Sequence, residues 1–184
     1  FMLQQTQVKT VIPYFNNFIK TIPNLKKLST TSEKKILKLW EGLGYYRRAK
    51  NLLRTSKILI KNYNGKIPNS FIKLKELPGI GDYTANILLA LIYNQPRIAI
   101  DGNVRRVLLR LFNKNIDNEK NLFKTKRNSD LAEALMEFGA LICKPQDPKC
   151  EECTIKKMCT YYKSESKVKF KKKIKIYSKS YDIF

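Results

Sequence analysis

The sequence predicts an all-α fold, and three observations carry that expectation. Apolar residues recur at helical spacing along most of the chain. No pair of segments alternates apolar and polar residues as neighbouring strands do, and no repeat of fixed period is present. At 43% hydrophobic content, the 184 residues suffice for one sizeable core, or for two small lobes sharing one.

The elements follow in order. Val8, Val11, Ile12, Phe15 and Phe18 mark one apolar helix face, in spite of Pro13. Ile36, Leu39, Trp40 and Leu43 follow helical spacing, with Thr31 or Ser32 as the N-cap. Ala49, Leu52, Leu53, Leu59, Ile60 and Tyr63 mark a longer helix, which Asn64-Gly65 ends. A short helix over Ser70–Glu76 is broken by Pro78-Gly79-Ile80-Gly81. A strongly apolar helix runs from about Asp82 to Tyr93. Val104, Val107, Leu108 and Leu111 give another, and Leu131, Ala134, Leu135 and Phe138 give the last before the cysteines. Residues 114–130 are polar and weakly periodic and read as a loop with a poor helix. The Lys-rich stretch 163–184 reads as a linker. The chain opens at Phe1 inside an apolar-periodic segment, so its true start is expected upstream.

Charge narrows the partner. The formal net charge is +22, which favours a polyanion, usually nucleic acid. Residues 160–184 contribute +6 of it, which leaves +16 for residues 1–159. The folded part is therefore basic in its own right. The longest strongly apolar stretch, Ile87–Tyr93, is too short to cross a bilayer. There is no histidine, which excludes a Ser-His-Asp triad, a Cys-His dyad and a His-ligated zinc site within this chain. All four cysteines fall between Cys143 and Cys159, a clustering that points to a metal site in a reducing compartment.

Five motifs carry candidate chemistry. Leu77-Pro78-Gly79-Ile80-Gly81 lies between two helical segments. Two glycines one residue apart suit a tight turn with φ > 0, and the turn aims backbone N–H groups at the start of the next helix. Such a hairpin can grip a DNA phosphate without reading sequence; taken alone, it is more often an ordinary interhelical turn. Cys143-x6-Cys150-x2-Cys153-x5-Cys159 can close on one four-iron four-sulfur (4Fe–4S) cluster or one zinc ion. The spacing suits the cluster better, because zinc ribbons more often carry two C-x2-C knuckles. Asp101-Gly102-Asn103-Val104 opens a helix, so Asp101 can be an N-cap and also face a pocket. Met2-Leu3-Gln4-Gln5-Thr6-Gln7 is the fourth motif. Gly42-Leu43-Gly44-Tyr45-Tyr46-Arg47-Arg48 is the fifth, a turn with aromatics for stacking and arginines for phosphate. It is equally a helix start with a packed tyrosine.

In this order, LQQTQV, GLGYYRRA, LPGIGDYTA, IDGNVRRVL and the four-cysteine spacing resemble the helix-hairpin-helix glycosylases that carry an iron–sulfur cluster. The likeness runs from Phe1 to about Cys159. LQQTQVKTVIPYF, GLGYY and DGNV resemble the MutY family of adenine glycosylases within that superfamily. The resemblance implies a two-lobed helix-hairpin-helix DNA glycosylase fold with a C-terminal iron–sulfur cluster loop. Residues 1–113 would form the hairpin lobe, 114–159 the cluster lobe, and 160–184 a basic linker or the start of a further domain. It implies base excision of adenine mispaired with 8-oxoguanine or guanine. The partner would be double-stranded DNA, met by an intracellular monomer with no membrane attachment.

The resemblance also implies roles. Asp101 would stabilise the positive charge that develops on the deoxyribose, with Tyr83 and Asn103 lining the catalytic site. Leu77, Gly79, Ile80 and Gly81 would form the DNA-binding hairpin. Gln5 would wedge into the base stack with Thr6 near the lesion base, while Leu43 and Tyr45 probe the 8-oxoguanine side. Leu3, Val8 and Glu133 would shape the adenine pocket. Cys143, Cys150, Cys153 and Cys159 would hold the 4Fe–4S cluster.

Tyr83 stands where glycosylase–lyases such as endonuclease III carry a nucleophilic lysine, so no Schiff base is expected there. Three departures qualify the match. The family's catalytic glutamate falls immediately before Phe1, so residues 1–184 alone are expected to bind DNA without cleaving it. The stretch between Asp101 and Cys143 is shorter by roughly two or three helical turns. The family's second, lesion-sensing domain would lie beyond Phe184. The alternatives are a glycosylase of the same fold acting on oxidised pyrimidines or thymine, and a DNA-binding protein without catalysis.

Overall fold

A computed structural model of the chain describes residues 1–114 and 125–164, and it is helical throughout with no strand among those residues. The elements are α1 (Val8–Thr21), α2 (Leu25–Thr30), α3 (Glu33–Leu39), α4 (Arg47–Tyr63), α5 (Phe71–Lys75), α6 (Asp82–Tyr93), α7 (Gly102–Phe112), α8 (Asn128–Leu141) and α9 (Thr160–Lys163). A 3-10 turn at Lys156–Met158 precedes α9. No described helix is long and apolar enough to cross a membrane.

Caps explain most of the boundaries. Asn24, Ser32, Ser70 and Asp101 each accept a hydrogen bond from the backbone N–H three residues on, satisfying a donor that the first turn leaves open. Ser32 rather than Thr31 caps α3. Asn64, Asn94 and Asn113 end α4, α6 and α7 in the left-handed region, a conformation asparagine tolerates better than most residues.

The core has three parts. Trp40 is fully buried among Ile36, Val11, Phe18, Ile22, Leu28, Ala49 and Leu53, where α1 to α4 meet. Leu59, Leu74, Leu77, Ile80, Ala85 and Leu89 join α4, α5 and α6 around the hairpin. Val104 and Leu108 of α7 pack with Ile98, Ile100, Leu135 and Met136. Helix α8 packs on both α6 and α7, and α9 packs on α7.

Several expectations change. Helix α2 was not anticipated, because six residues are too few to display a period. On α1 only Val11 and Phe18 are buried, whereas Val8, Ile12 and Phe15 are more than half exposed. Helix α8 begins at Asn128, inside the stretch read as a loop, where Asn128 donates to the Asn94 carbonyl at 2.7 Å and so docks on the end of α6. Thr160–Lys163 is helical rather than linker, and Thr160 donates to the Leu111 carbonyl at 2.8 Å. The loop read over 115–124 and the linker read over 165–184 lie outside the described residues.

Candidate functional site

The first part of the site is the junction of α6, α7 and α8. Asp101 Oδ1 accepts the Val104 N–H at 2.7 Å, so the cap fixes the carboxylate at the start of α7. Tyr83, one residue into α6, donates its hydroxyl to Met136 Sδ of α8 at 3.5 Å. Partial burial raises the pKa of Tyr83, and the nearby Asp101 charge raises it further. Tyr83 thus opens α6 and Asp101 opens α7, the two helices on which α8 packs. Glu133 lies exposed one helical turn before Met136.

Arg106 ties this junction together, and sequence reasoning gave it no part. It donates to Asn103 Oδ1 at 2.9 Å, to the Gly139 carbonyl at 2.7 Å and to the Cys143 carbonyl at 2.9 Å. It thereby links the start of α7 to the end of α8 and to the cysteine loop. Gly139 permits this approach, since a Cβ there would meet Asn103 Cβ at 2.8 Å.

The hairpin forms the second part. Gly79 adopts φ +80°, whereas Gly81 has φ −91° and extended backbone. Only Gly79 therefore needs left-handed freedom, which corrects the paired reading. The side chains of Leu77 and Ile80 are buried in the core, so the hairpin can offer DNA only backbone there. Unlike α2, α3, α5 and α7, helix α6 has no side-chain cap. Nothing lies within 4 Å of a Cβ built on Gly81, so its first N–H groups stand at an open surface.

The third part comprises the two loops around Arg48. Gln5 and Tyr45 both adopt left-handed backbone, with φ 58° and 47°, and both are exposed. Gln4, not Gln5, reaches the hairpin, donating to the Gly79 carbonyl at 3.1 Å. Thr6 accepts from Arg48 at 3.0 Å. Leu43 is 6% exposed and packs into the Trp40 core, because positive φ at Gly42 and Gly44 folds it inward. Its side chain does not present a DNA probe in this conformation. Arg48 is not the phosphate contact that its motif suggests: it is buried and donates into the protein.

Leu3 and Val8 sit elsewhere. They line a groove of about 550 Å³ along α1 with Phe1, Ile12 and Phe15, which Tyr83, Asp101, Asn103 and Glu133 do not line.

The fourth part is the cysteine loop. Cys143, Cys150, Cys153 and Cys159 all line one pocket with Val107, Phe138 and Ile155. Burial raises the pKa of Cys150, the other three thiols add to that rise, and Arg110 opposes it. Arg110 donates to Cys143 Sγ at 3.4 Å and to the Lys144 carbonyl at 2.7 Å. Among the described residues, no three His, Cys, Asp or Glu side chains stand in position to hold a single metal ion. A tetrahedral zinc ion would bring its sulfurs to within about 4 Å of one another. The four thiols share one pocket whose exposed lining is apolar, at the end of α8 and beside α7.

A family model described as HhH-GPD superfamily base excision DNA repair protein matches residues 1–133. The chain belongs to that superfamily. Among curated relatives, the adenine DNA glycosylase of Buchnera aphidicola subsp. Baizongia pistaciae is 46% identical, over 88% of this chain and 49% of that protein. The adenine DNA glycosylase of Homo sapiens is 34% identical, over 86% of this chain and 31% of its own length. The chain thus spans about half the length, or less, of these relatives. A thermostable thymine-DNA glycosylase structure superimposes with a TM-score of 0.78 at 27% identity, covering 88% of this chain and 80% of that one. A non-covalent endonuclease III–DNA complex gives 0.72 at 24% identity, covering 86% and 78%, which shows the shared fold.

Proposed function

We propose that the chain is the helical core of a monofunctional adenine DNA glycosylase that excises adenine opposite 8-oxoguanine or guanine. The observation that carries this is the Asp101 carboxylate fixed by its cap at the start of α7, with Asn103 held by Arg106 two residues on and the Tyr83 hydroxyl bonded to Met136 of α8, a tyrosine where a lyase needs an amine. Curated relatives named adenine DNA glycosylase support the base assignment.

The chemistry follows from the charge. Breaking an N-glycosidic bond leaves an oxocarbenium-like sugar, and a fixed carboxylate opposite it lowers that barrier. Asp101 supplies the carboxylate, with Oδ1 anchored by the Val104 N–H and Oδ2 left to oppose the sugar. Tyr83 and Asn103 line the site, and Glu133 on α8 contacts the flipped adenine. Adenine leaves with a proton taken from a general acid, water adds to the sugar carbon and gives up a proton, and an abasic site remains in an unbroken strand.

Binding is shared among the other parts. The open start of α6, with Gly79 and Gly81 before it, grips a phosphate. Gln5, Thr6 and Tyr45 meet the base stack, Leu43 braces their loop from the core, and Leu3 and Val8 shape the approach along α1. Residues 1–113 form the hairpin lobe, and 114–159 the cluster lobe. Cys143, Cys150, Cys153 and Cys159 hold a 4Fe–4S cluster. That group supplies a rigid, charged centre that braces the loop against DNA. The protein works as a monomer, inside the cell and on double-stranded DNA.

A substrate panel tests this. Duplexes carrying adenine opposite 8-oxoguanine, adenine opposite guanine, thymine opposite guanine, and an oxidised pyrimidine are incubated with the full-length protein, then treated with alkali. Adenine release without nicking before alkali is the expected result. Thymine release would favour the reading suggested by the thymine-DNA glycosylase likeness. Binding with no release of any base would leave a DNA-binding protein and overturn the proposal.

A further inference from the structure

The guanidinium of Arg48 joins two loops that are remote in sequence. It donates to the Phe1 carbonyl at 3.4 Å, to the Met2 carbonyl at 2.9 Å, to the Gln4 carbonyl and to Thr6 Oγ1 at 3.0 Å. On its other side it donates to the carbonyls of Leu43 at 3.2 Å and Gly44 at 3.1 Å. The Trp40 and Tyr45 rings lie 5.6 and 5.4 Å from it. The side chain is 8% exposed, so no phosphate reaches it.

These are the loops that carry Gln5 and Tyr45, two non-glycine residues in left-handed backbone. Such backbone persists only where the surroundings over-determine it. Irregular turns also leave carbonyls unpaired, and a planar fork of donors can satisfy several at once. A lysine at this position would keep the charge but could not span both sets of carbonyls.

We propose that Arg48 is a positioning residue that locks the 1–6 turn and the 42–46 loop into one DNA-probing unit, so that lesion preference depends on its fork and not on a phosphate contact. This rests on the glycosylase reading above, in which Gln5, Thr6 and Tyr45 meet the base stack.

The test compares the purified full-length protein with its Arg48→Lys, Arg47→Met and Trp40→Phe variants. Three quantities are read: thermal melting, amide exchange over residues 1–7 and 42–46, and affinity across a salt series. The probes are a fully matched duplex and one carrying adenine opposite 8-oxoguanine. R48K should speed exchange in both loops together and cut the lesion-over-matched preference about tenfold or more. Its affinity for matched duplex and its salt slope should stay at wild-type values, because the charge remains. R47M alters an exposed arginine and should weaken both duplexes alike, with a slope shallower by about one.

W40F covers the case in which R48K fails to fold. It removes the bond from Trp40 Nε1 to the Gly44 carbonyl, and the proposal expects faster exchange in the 1–7 turn as well as in its own loop. An R48K protein with wild-type lesion preference, or exchange that rises in one loop alone, would overturn the proposal. A wild-type full-length protein without lesion preference would instead sink the glycosylase reading. The exchange data would then still decide whether the two loops are locked together.

Discussion

Gly139 is expected to be a position where activity fails before folding does. It stands on α8 against the start of α7. A methyl group there would lie 2.8 Å from Asn103 Cβ and 3.2 Å from both the carbonyl carbon and oxygen of Asn103. Ordinary contact distance is about 3.5–4.0 Å, so the helices would have to part by roughly 0.5–1 Å. None of the opposing atoms is the flexible end of a side chain. Overpacking of this kind costs about 1–3 kcal/mol. Better helix propensity returns about 1 kcal/mol to alanine over glycine. G139A should therefore lose about 0–2 kcal/mol net, which lowers Tm by no more than about 8 °C in a domain of this size. Activity should fall further than stability. The Gly139 carbonyl accepts from Arg106, which also holds Asn103, and Tyr83 bonds Met136 on the same helix. Displacing reacting groups by about 1 Å costs on the order of 100-fold. Single-turnover adenine release by full-length G139A should drop by about 30- to 100-fold at a temperature where the variant is folded. A wild-type rate with an unchanged or higher Tm would refute the reasoning.

D101N keeps the N-cap, since asparagine caps as well as aspartate, so Tm should hold while adenine release falls on the order of 100- to 1,000-fold; an active D101N would end the assignment. Gly79→Ala should destabilise by about 1–3 kcal/mol, because φ is +80° and its Cβ would meet Asn51 and Phe1 at 2.8 and 2.9 Å. Gly81→Ala should melt like wild type yet bind every duplex more weakly, which equilibrium titration can read. Protein purified without oxygen should absorb broadly near 400 nm (about the usual value for such clusters), and Cys150→Ser should lose that band; one zinc and no iron would contradict it. Tyr83 has a folded-state pKa above the ordinary phenol value of about 10, because burial and then Asp101 disfavour the phenolate. The stability this contributes is present below about pH 10 and is lost as pH rises through the folded value. Y83F should therefore flatten the alkaline limb of a stability–pH curve, and an unchanged limb would count against the burial.

Long periodic segments were legible because a helix face repeats itself. Helix α6 runs from Asp82 to Tyr93 as its apolar run predicts, and Asp101 caps α7 as its neighbours suggested. Helix α2 has only six residues, and its burial of Leu28 emerges only when α4 packs on it. Gly79 and Gly81 look equivalent in the sequence. Their difference arises from what stands opposite them, Asn51 and Phe1 for the first and open space for the second. Leu43 illustrates the same point, since one loop residue faced inward and its neighbour Tyr45 outward for reasons of turn geometry alone.

The arginines show where counting charges misleads. GLGYYRRA and IDGNVRRVL each carry an Arg-Arg pair on the first or second turn of a helix. Adjacent helical residues project about 100° apart, so the two members of a pair cannot serve the same face. In both pairs the first member, Arg47 or Arg105, is exposed, and the second, Arg48 or Arg106, is turned inward to carbonyls. Arg110, one turn after Arg106, is also buried and serves the cysteine loop. All three meet irregular chain segments, where carbonyls lack helical partners and a forked cation can satisfy several together. A net charge of +22 therefore overstates the surface available to DNA. The phosphate contacts should come mainly from exposed lysines and from the open start of α6. The salt dependence of binding then reports those groups, while the inward-turned arginines act on lesion preference and on the geometry around Asp101.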